Sequence, residues 1–367
     1  MSQTPLRLLL ALLAATLLSA RPVAAQDQGW EPLIRRLAND GFVRGQLEQL
    51  FARPETAFDA AAMGQKMMEM YSSKFGSDLT RLCQARLKAL GYYPYKADGY
   101  VGFHTREAIK AFQRANGLPE DGKADAELLD ALNVPDAAAA PKGFALPPKP
   151  KTPSVYEVIL TPERMAEARD FYRANKPILK EVQTLYGVTP EVAVGLLAVE
   201  TRVGKFLGDQ IALVNLASMA RCASWDCVAP FFAHEAMSSR KRAWVESRQR
   251  QKADWAYGEL KALLRYAATC QQDPLVIPGS IYGAIGVCQF MPSNVPRFGK
   301  DGNQDGLVDL FVVEDALHSM GNYLSQHGWR SADSSEAAQR KALYNYNHSK
   351  RYVNTIMAVA QWLKENG

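Results

Sequence analysis

Along most of the chain, apolar residues recur three and four positions apart, the spacing that gathers them on one face of an α-helix. From Trp30 to Phe75 this stripe runs through Leu33, Ile34 and Leu37, then Leu47, Leu50 and Phe51, then Met63, Met67, Met70 and Tyr71. Methionines and rings at that spacing predict helices packing a core. A second stripe, Leu79, Cys83, Leu87 and Leu90, opens a unit of three helices separated by turns at Asp98-Gly99 and Asp121-Gly122. Thr105 and Asp125 are expected to cap its second and third helices. After Leu132 the run NVPDAAAAPKGFALPPKPKTP has no stripe and reads as a semi-rigid, extended linker. From Thr189 the pattern changes again. Thr189 suits an N-cap and Pro190 the first helical position, and Val192 to Val199 is apolar on every side, the mark of a buried helix. That helix ends on Glu200.

These patterns predict a mainly α protein and divide the chain into a helical segment at 26–76, a small domain at 77–134, a linker at 135–154 and a large domain at 155–367. The early helices are expected to pack back onto the large domain. The start reads differently. Arg7 followed by the apolar run Leu8 to Leu18 and small residues at Val23-Ala24-Ala25 predicts a signal peptide over 1–25, cleaved before Gln26, and export to the periplasm. With no cysteine ahead of Cys83, lipidation of the mature N-terminus is not expected.

Composition is that of a folded chain, 47% hydrophobic and 22% charged. A net charge of +5 is compatible with an anionic polymer as partner without requiring one. No phosphate loop and no nucleic-acid motif occurs, and the five histidines lack metal-ligand spacing. Five cysteines in an oxidising compartment suggest disulfides with one thiol over. Cys222 and Cys227 can close a small loop, Cys270 and Cys288 are a second candidate pair, and Cys83 falls in the apolar stripe as the odd one.

Glu200 is the first candidate for chemistry. A carboxyl at the end of so apolar a helix is harder to ionise, and a raised pKa is what a general acid for glycosidic cleavage needs. Two further segments, SIYGAIGVCQFMP (280–292) and YNYNHSKRY (344–352), offer amides and rings, the pairing that sugars require. Between them DGNQDGLVD, Asp301 to Asp309, matches the opening of a calcium loop. There Asp301, Asn303 and Asp305 supply side-chain oxygens, Gly306 the sharp turn and Leu307 its carbonyl, but the twelfth position is Val312 in place of glutamate.

Two resemblances follow from these residues. Leu82 to Gly122, with LGYY, DG-x-x-G-x-x-T, AFQ and NGLP-x-DG in order, resembles the peptidoglycan-binding domain of wall enzymes. VETRVG, GAIGVCQFMPS and YNYNHSKRY, with LTPERM and YGVTPE upstream, resemble the B-type lytic murein transglycosylases of the lysozyme-like superfamily. The second resemblance implies a lysozyme-like α+β catalytic domain beside the small three-helix one. It implies Glu200 as sole catalytic carboxyl, acid and then base, cutting the MurNAc–GlcNAc β-1,4 bond with formation of a 1,6-anhydro sugar. Ser280, Gln289, Tyr346, Asn347 and Tyr352 fall on positions lining the cleft, with Phe290 and Met291 as its wall. By analogy with the longer calcium loop of these relatives, Asp315 supplies the closing carboxylate; no organic cofactor is implied. The implied partners are peptidoglycan glycan strands and the machinery that makes or remodels the wall, with the chain itself a monomer.

One stretch departs from the family. Arg221 to Asp254 is longer than usual, and Arg250 and Lys252 are its loose candidates for an arginine pair near the cleft, although such a basic run is expected to be a solvated helix face. Rival readings are a hydrolytic muramidase using a second carboxylate and a non-catalytic wall-binding protein.

Overall fold

The computed structural model describes residues 29–329, 331 and 334–367; the signal segment 1–25 lies outside them. The first stripe forms α1 (Glu31–Asn39), α2 (Arg44–Phe51) and α3 (Ala61–Phe75). Leu37, Met63, Met67 and Tyr71 are fully buried, in one core with Leu213, Leu216 and Leu260 of the large domain. Polar ties cross the same boundary: Lys261 to Asp40 at 2.6 Å, Arg53 to Asp273 at 2.5 Å, and the Tyr282 hydroxyl to Glu69 at 2.9 Å.

The small domain is α4 (Asp78–Ala89), α5 (Phe103–Ala115) and α6 (Ala126–Asn133), around a separate core of Cys83, Leu87, Tyr92, Ile109, Phe112 and Leu132. Asp125 caps α6 by accepting from the Leu128 amide at 2.9 Å. Thr105 does not cap α5. Gly102 holds that position, and Thr105 is buried in the first turn, donating to the Tyr100 carbonyl at 3.2 Å. A threonine three residues past the cap has its hydroxyl captured by the preceding turn. Ser77 caps α4, accepting from the Thr80 amide.

The linker is extended, but its first half is not free. The Ala140 amide bonds the Leu90 carbonyl at 2.7 Å, the Tyr92 hydroxyl bonds the Ala138 carbonyl at 3.1 Å, and Phe144 packs edge-on to Tyr92. Its alanines and Phe144 extend the small core, so the linker proper begins later than composition suggests.

The large domain runs α7 (Pro162–Ala174), α8 (Lys176–Tyr186), α9 (Pro190–Thr201), β1 (Gln210–Ile211), α10 (Ala212–Arg221), α11 (Trp225–Val228), α12 (Ser239–Thr269), β2 (Pro278–Gly279), α13 (Val295–Phe298), α14 (Val313–Gln326), α15 (Glu336–Tyr346) and α16 (Lys350–Asn366). The two short strands pair antiparallel, Gln210 with Gly279 and Ile211 with Pro278, and bridges from Gly279 to Ile285 and from Ile285 to Phe290 continue them. Helix α9 is buried from Val192 to Ala198 and packs along α16. Gly195 makes that approach possible: a Cβ there would lie 2.9 Å from the Ile356 carbonyl of α16. No single helix among the described residues is long and apolar enough to cross a membrane; α8 with α9 passes on length and composition only as a bent pair.

Cys222 and Cys227 are bridged, with Cα atoms 5.6 Å apart, and buried Gln249 of α12 braces the loop through the Cys222 and Ser224 carbonyls. The second candidate pair, Cys270 and Cys288, is not bonded, both thiols being free like Cys83. Cys270 ends α12 facing the Val308 carbonyl, whereas Cys288 is enclosed in the hairpin that β2 begins, so flanking one loop did not bring them together. The basic run forms the first half of α12: Arg250 is exposed, and Lys252 is half-buried with its ammonium 4.8 Å from the Trp255 ring centre.

Candidate active site

The acid sits where α9 stops. Thr189 occupies the N-cap without a side-chain bond, and Pro190 starts the helix. At the other end Arg202 and Val203 take left-handed backbone conformations, φ 53° and 52°, and the Val203 amide closes back on the Leu197 carbonyl at 2.9 Å. Thr201 anchors the break, donating to the Val287 carbonyl at 2.7 Å and accepting from the Gly204 amide at 3.0 Å. Glu200 is thereby held partly buried between α9 and the 285–290 hairpin.

Two influences act on its carboxyl. Burial pushes the pKa up to about 7, and the Tyr352 hydroxyl, donating to Oε1 at 2.5 Å, pulls against that. Tyr352 is buried in the first turn of α16, which Ser349 caps. The nearest cation in sequence is diverted. Arg202 bonds Glu167 at 2.6 Å and Glu163 at 2.5 Å, and Lys205 reaches Glu167 at 2.9 Å. Among the described residues no second carboxylate shifts Glu200.

The other sequence-predicted residues take different stations. The Tyr346 hydroxyl donates to the Cys288 carbonyl at 2.5 Å, tying α15 to the hairpin beside Glu200. Gln289 is also left-handed, φ 52°, with its amide nitrogen 3.0 Å from the Gly286 carbonyl and 3.4 Å from that of Leu207. Ser280 closes the preceding turn, its Oγ accepting from the Ala284 amide at 3.1 Å. Met291 is half-buried and Asn347 lies exposed where α15 ends. Phe290 corrects an expectation. At 1% exposure it has no face for a ligand, and it backs the wall by packing on Tyr346 and Tyr323, 5.9 and 5.7 Å between ring centres. Thr201, Arg202, Cys288 and Tyr323 were not legible in the sequence; only the glycine at Gly204 hinted that the helix breaks there.

The acidic loop gathers oxygen donors. Asp301 accepts from the Asp305 and Gly306 amides, Asn303 from the Asp305 amide, and Asp305 from the Leu307 amide. Asp315, fully buried, accepts from the Gly302, Asn303 and Asp309 amides, and burial pushes its carboxyl up. Among the described residues no three of His, Cys, Asp and Glu converge as a metal-holding group. An all-oxygen donor set with one deeply buried acid nonetheless suits a hard cation such as calcium in its chemistry.

A helical body in which one partly buried acid with a raised pKa ends the most apolar helix, beside a separate three-helix domain, sets the class. The chain belongs to the transglycosylase SLT domain family, whose pattern matches residues 130–339, and a peptidoglycan binding domain family matches residues 76–132. It is 31% identical over 174 residues to membrane-bound lytic murein transglycosylase B of Escherichia coli strain K12, an alignment covering 47% of this chain and 41% of that protein. The chain thus spans less than half the length of that relative. Among solved structures, Escherichia coli lytic transglycosylase Slt35 in complex with calcium is 23% identical, with 57% of this chain and 77% of that one covered and a TM-score of 0.47. SltB3 of Pseudomonas aeruginosa, in complex with NAG-anhNAM-pentapeptide, is 18% identical, covering 71% and 78% at a TM-score of 0.45.

Proposed function

We propose that the chain is a lytic murein transglycosylase with Glu200 as its catalytic acid and base. The observation that carries this reading is a carboxyl whose pKa stands at about 7, hydrogen-bonded by Tyr352 alone among the described side chains. A group poised there gives and takes a proton with equal ease at neutral pH. Protonated Glu200 gives its proton to the oxygen between MurNAc and GlcNAc as the C1–O bond breaks. The substrate's N-acetyl group steadies the positive C1, a task that a second carboxylate performs in most glycosidases. Glu200, now a carboxylate steadied by Tyr352, takes the proton of the sugar's own 6-hydroxyl as that oxygen closes on C1. The product is a 1,6-anhydro sugar and no water is consumed.

Ser280, Gln289, Met291, Tyr346 and Asn347 are assigned to the cleft lining, with Phe290 behind it. Asp301, Asn303, Asp305, the Leu307 carbonyl and Asp315 are assigned to a structural calcium ion, which would supply positive charge to a loop rich in carboxylates. The small domain holds the wall, and the chain is exported through its signal segment.

Digestion of purified sacculi followed by mass spectrometry tests the chemistry. Anhydro ends, lighter than reducing ends by one water, are expected. Reducing ends would establish the hydrolytic alternative, and no release would leave a binding protein.

A further inference from the structure

Away from Glu200, the small domain carries a surface groove of about 450 Å³ at the start of α5. Tyr95 and Tyr100 line it and are 45% and 44% exposed, although the other tyrosines of this domain, Tyr92 and Tyr93, are buried. Tyr95 packs edge-on to Tyr93 and lies 4.8 Å from the His104 ring at 30° between planes, so the three rings form a continuous aromatic wall. The floor is fixed in advance. Buried Gln84 donates to Asp98 and to the Tyr100 carbonyl, both at 3.0 Å, and accepts from the Gly99 amide at 2.8 Å. Ring faces held open to water by a rigid polar scaffold are surface prepared for a partner with flat apolar faces.

We propose that this groove is the ligand site of the small domain, and that it takes the glycan strand of peptidoglycan by stacking N-acetylated sugar rings on Tyr95 and Tyr100. The proposal rests on the reading that this domain holds the wall. Charge selects glycan over stem peptide. Lys96 and Asp98 line the groove together and offset one another, so it gives an anionic peptide no net attraction. Hydroxyls and acetamido groups, polar but neutral, match such a lining, and His104 and the exposed edge of Asp98 stand beside the rings to bond them.

The test uses the full chain carrying Glu200→Gln, so that the wall is not digested while it is pelleted. Deleting residues 78–134 sets the floor for wall binding. Tyr95→Ala with Tyr100→Ala is expected to weaken pelleting about tenfold, nearly to that floor, whereas Tyr95→Phe keeps it. Chitotetraose should release the parent protein from sacculi, free stem peptide should not, and raising salt should matter little. If the deletion loses pelleting but the double alanine variant, with an unchanged melting curve, does not, the groove is the wrong surface and the wall-binding reading stands. Release by stem peptide instead of chitotetraose would overturn the ligand class. A deletion that pellets as well as its parent would remove the wall-binding reading, and the groove's role with it.

Discussion

Glu167 and Glu200 stand on packed neighbours, α7 and α9, and their carboxyls are driven in opposite directions. Glu167 accepts from Arg202 and Lys205, and those bonds hold it down at about 2. Glu200, two residues before Arg202, is pushed up to about 7 by burial. The residue types are identical; what differs is where one guanidinium goes. The backbone at Arg202 is left-handed, and its side chain lies on α7, paired with Glu167. A cation beside Glu200 would have lowered its pKa and left no proton to give at neutral pH. The helix break therefore does two things: it ends α9 at the acid and removes the charge that would disarm it.

The comparison breaks most sharply at Glu200 itself. Glu200→Gln keeps the shape without the transferable proton, and glycan release from sacculi should fall by at least about 10²–10⁴-fold. Relative to its parent, the same variant should become more stable as pH rises. The folded pKa of about 7 lies above the ordinary carboxyl value of 4.5. The unfolded carboxyl therefore ionises first, and stability is lost as pH rises from 4.5 through 7. At pH 8 the variant should be more stable than its parent by up to about 3 kcal/mol, and at pH 4 equal to it. Denaturant titrations at the two pH values measure this; equal stability at both would mean that burial does not raise the Glu200 pKa.

Tyr352→Phe removes the group that opposes burial. A hydrogen bond to a charged group is worth about 1.5–3 kcal/mol, so the alkaline limb of the kcat/KM profile should move up by about one to two pH units. The turnover number should fall, because the carboxylate loses its donor. An unmoved limb would show that Tyr352 does not set the acid.

Asp315 supplies a third case, a carboxyl raised by burial and met by backbone amides alone. Calcium should raise the melting temperature progressively, by about 2.7 kcal/mol of stability at a hundred times its Kd, and Asp305→Ala should abolish the increment. Magnesium, which keeps its waters, should do less. A melting curve indifferent to calcium, with chelator as the zero point, would reduce the loop to a turn.

The smallest effect belongs to the partner in the comparison. Arg202→Gln should lower the melting temperature by a few degrees at pH 7. A depressed pKa contributes stability above 4.5 and loses it as pH falls through about 2, so the gap to the parent should narrow toward pH 3. The pH–rate profile should not move, since Arg202 is engaged by α7. A shifted profile would show that its charge does reach Glu200.

Much of this was legible from periodicity. The stripes through Leu33, Met67 and Leu87 became buried faces, and the all-apolar run before Glu200 became a buried helix, because burial of a helix face is written in local spacing. The Asp98-Gly99 and Asp121-Gly122 turns fell between helices for the same local reason. Pairing across distance was not legible. Cys270 and Cys288 were a candidate pair and are not bonded, Thr105 was expected to cap and is buried, and nothing in the composition of the extended linker showed that its first half docks on the small core. In the site, motif order gathered Glu200, Gln289, Tyr346 and Tyr352 as candidates, but it could not distinguish Tyr352, which bonds the acid, from Phe290, which is sealed behind it.

The sequence by itself determined that the chain is mainly helical, that the stripes over 30–75, 78–132 and 189–200 are helices and which faces they bury, and that a lone carboxyl ends the most apolar of them, since these depend on neighbours within a few residues. Only the tertiary structure decided what that carboxyl is. Gly195 lets α16 approach until Tyr352 reaches Glu200, and the left-handed turn at Arg202 sends the nearest cation to Glu167. A pKa is set by burial and by charges a few ångströms away, and in a folded chain those come from residues that the sequence holds far apart.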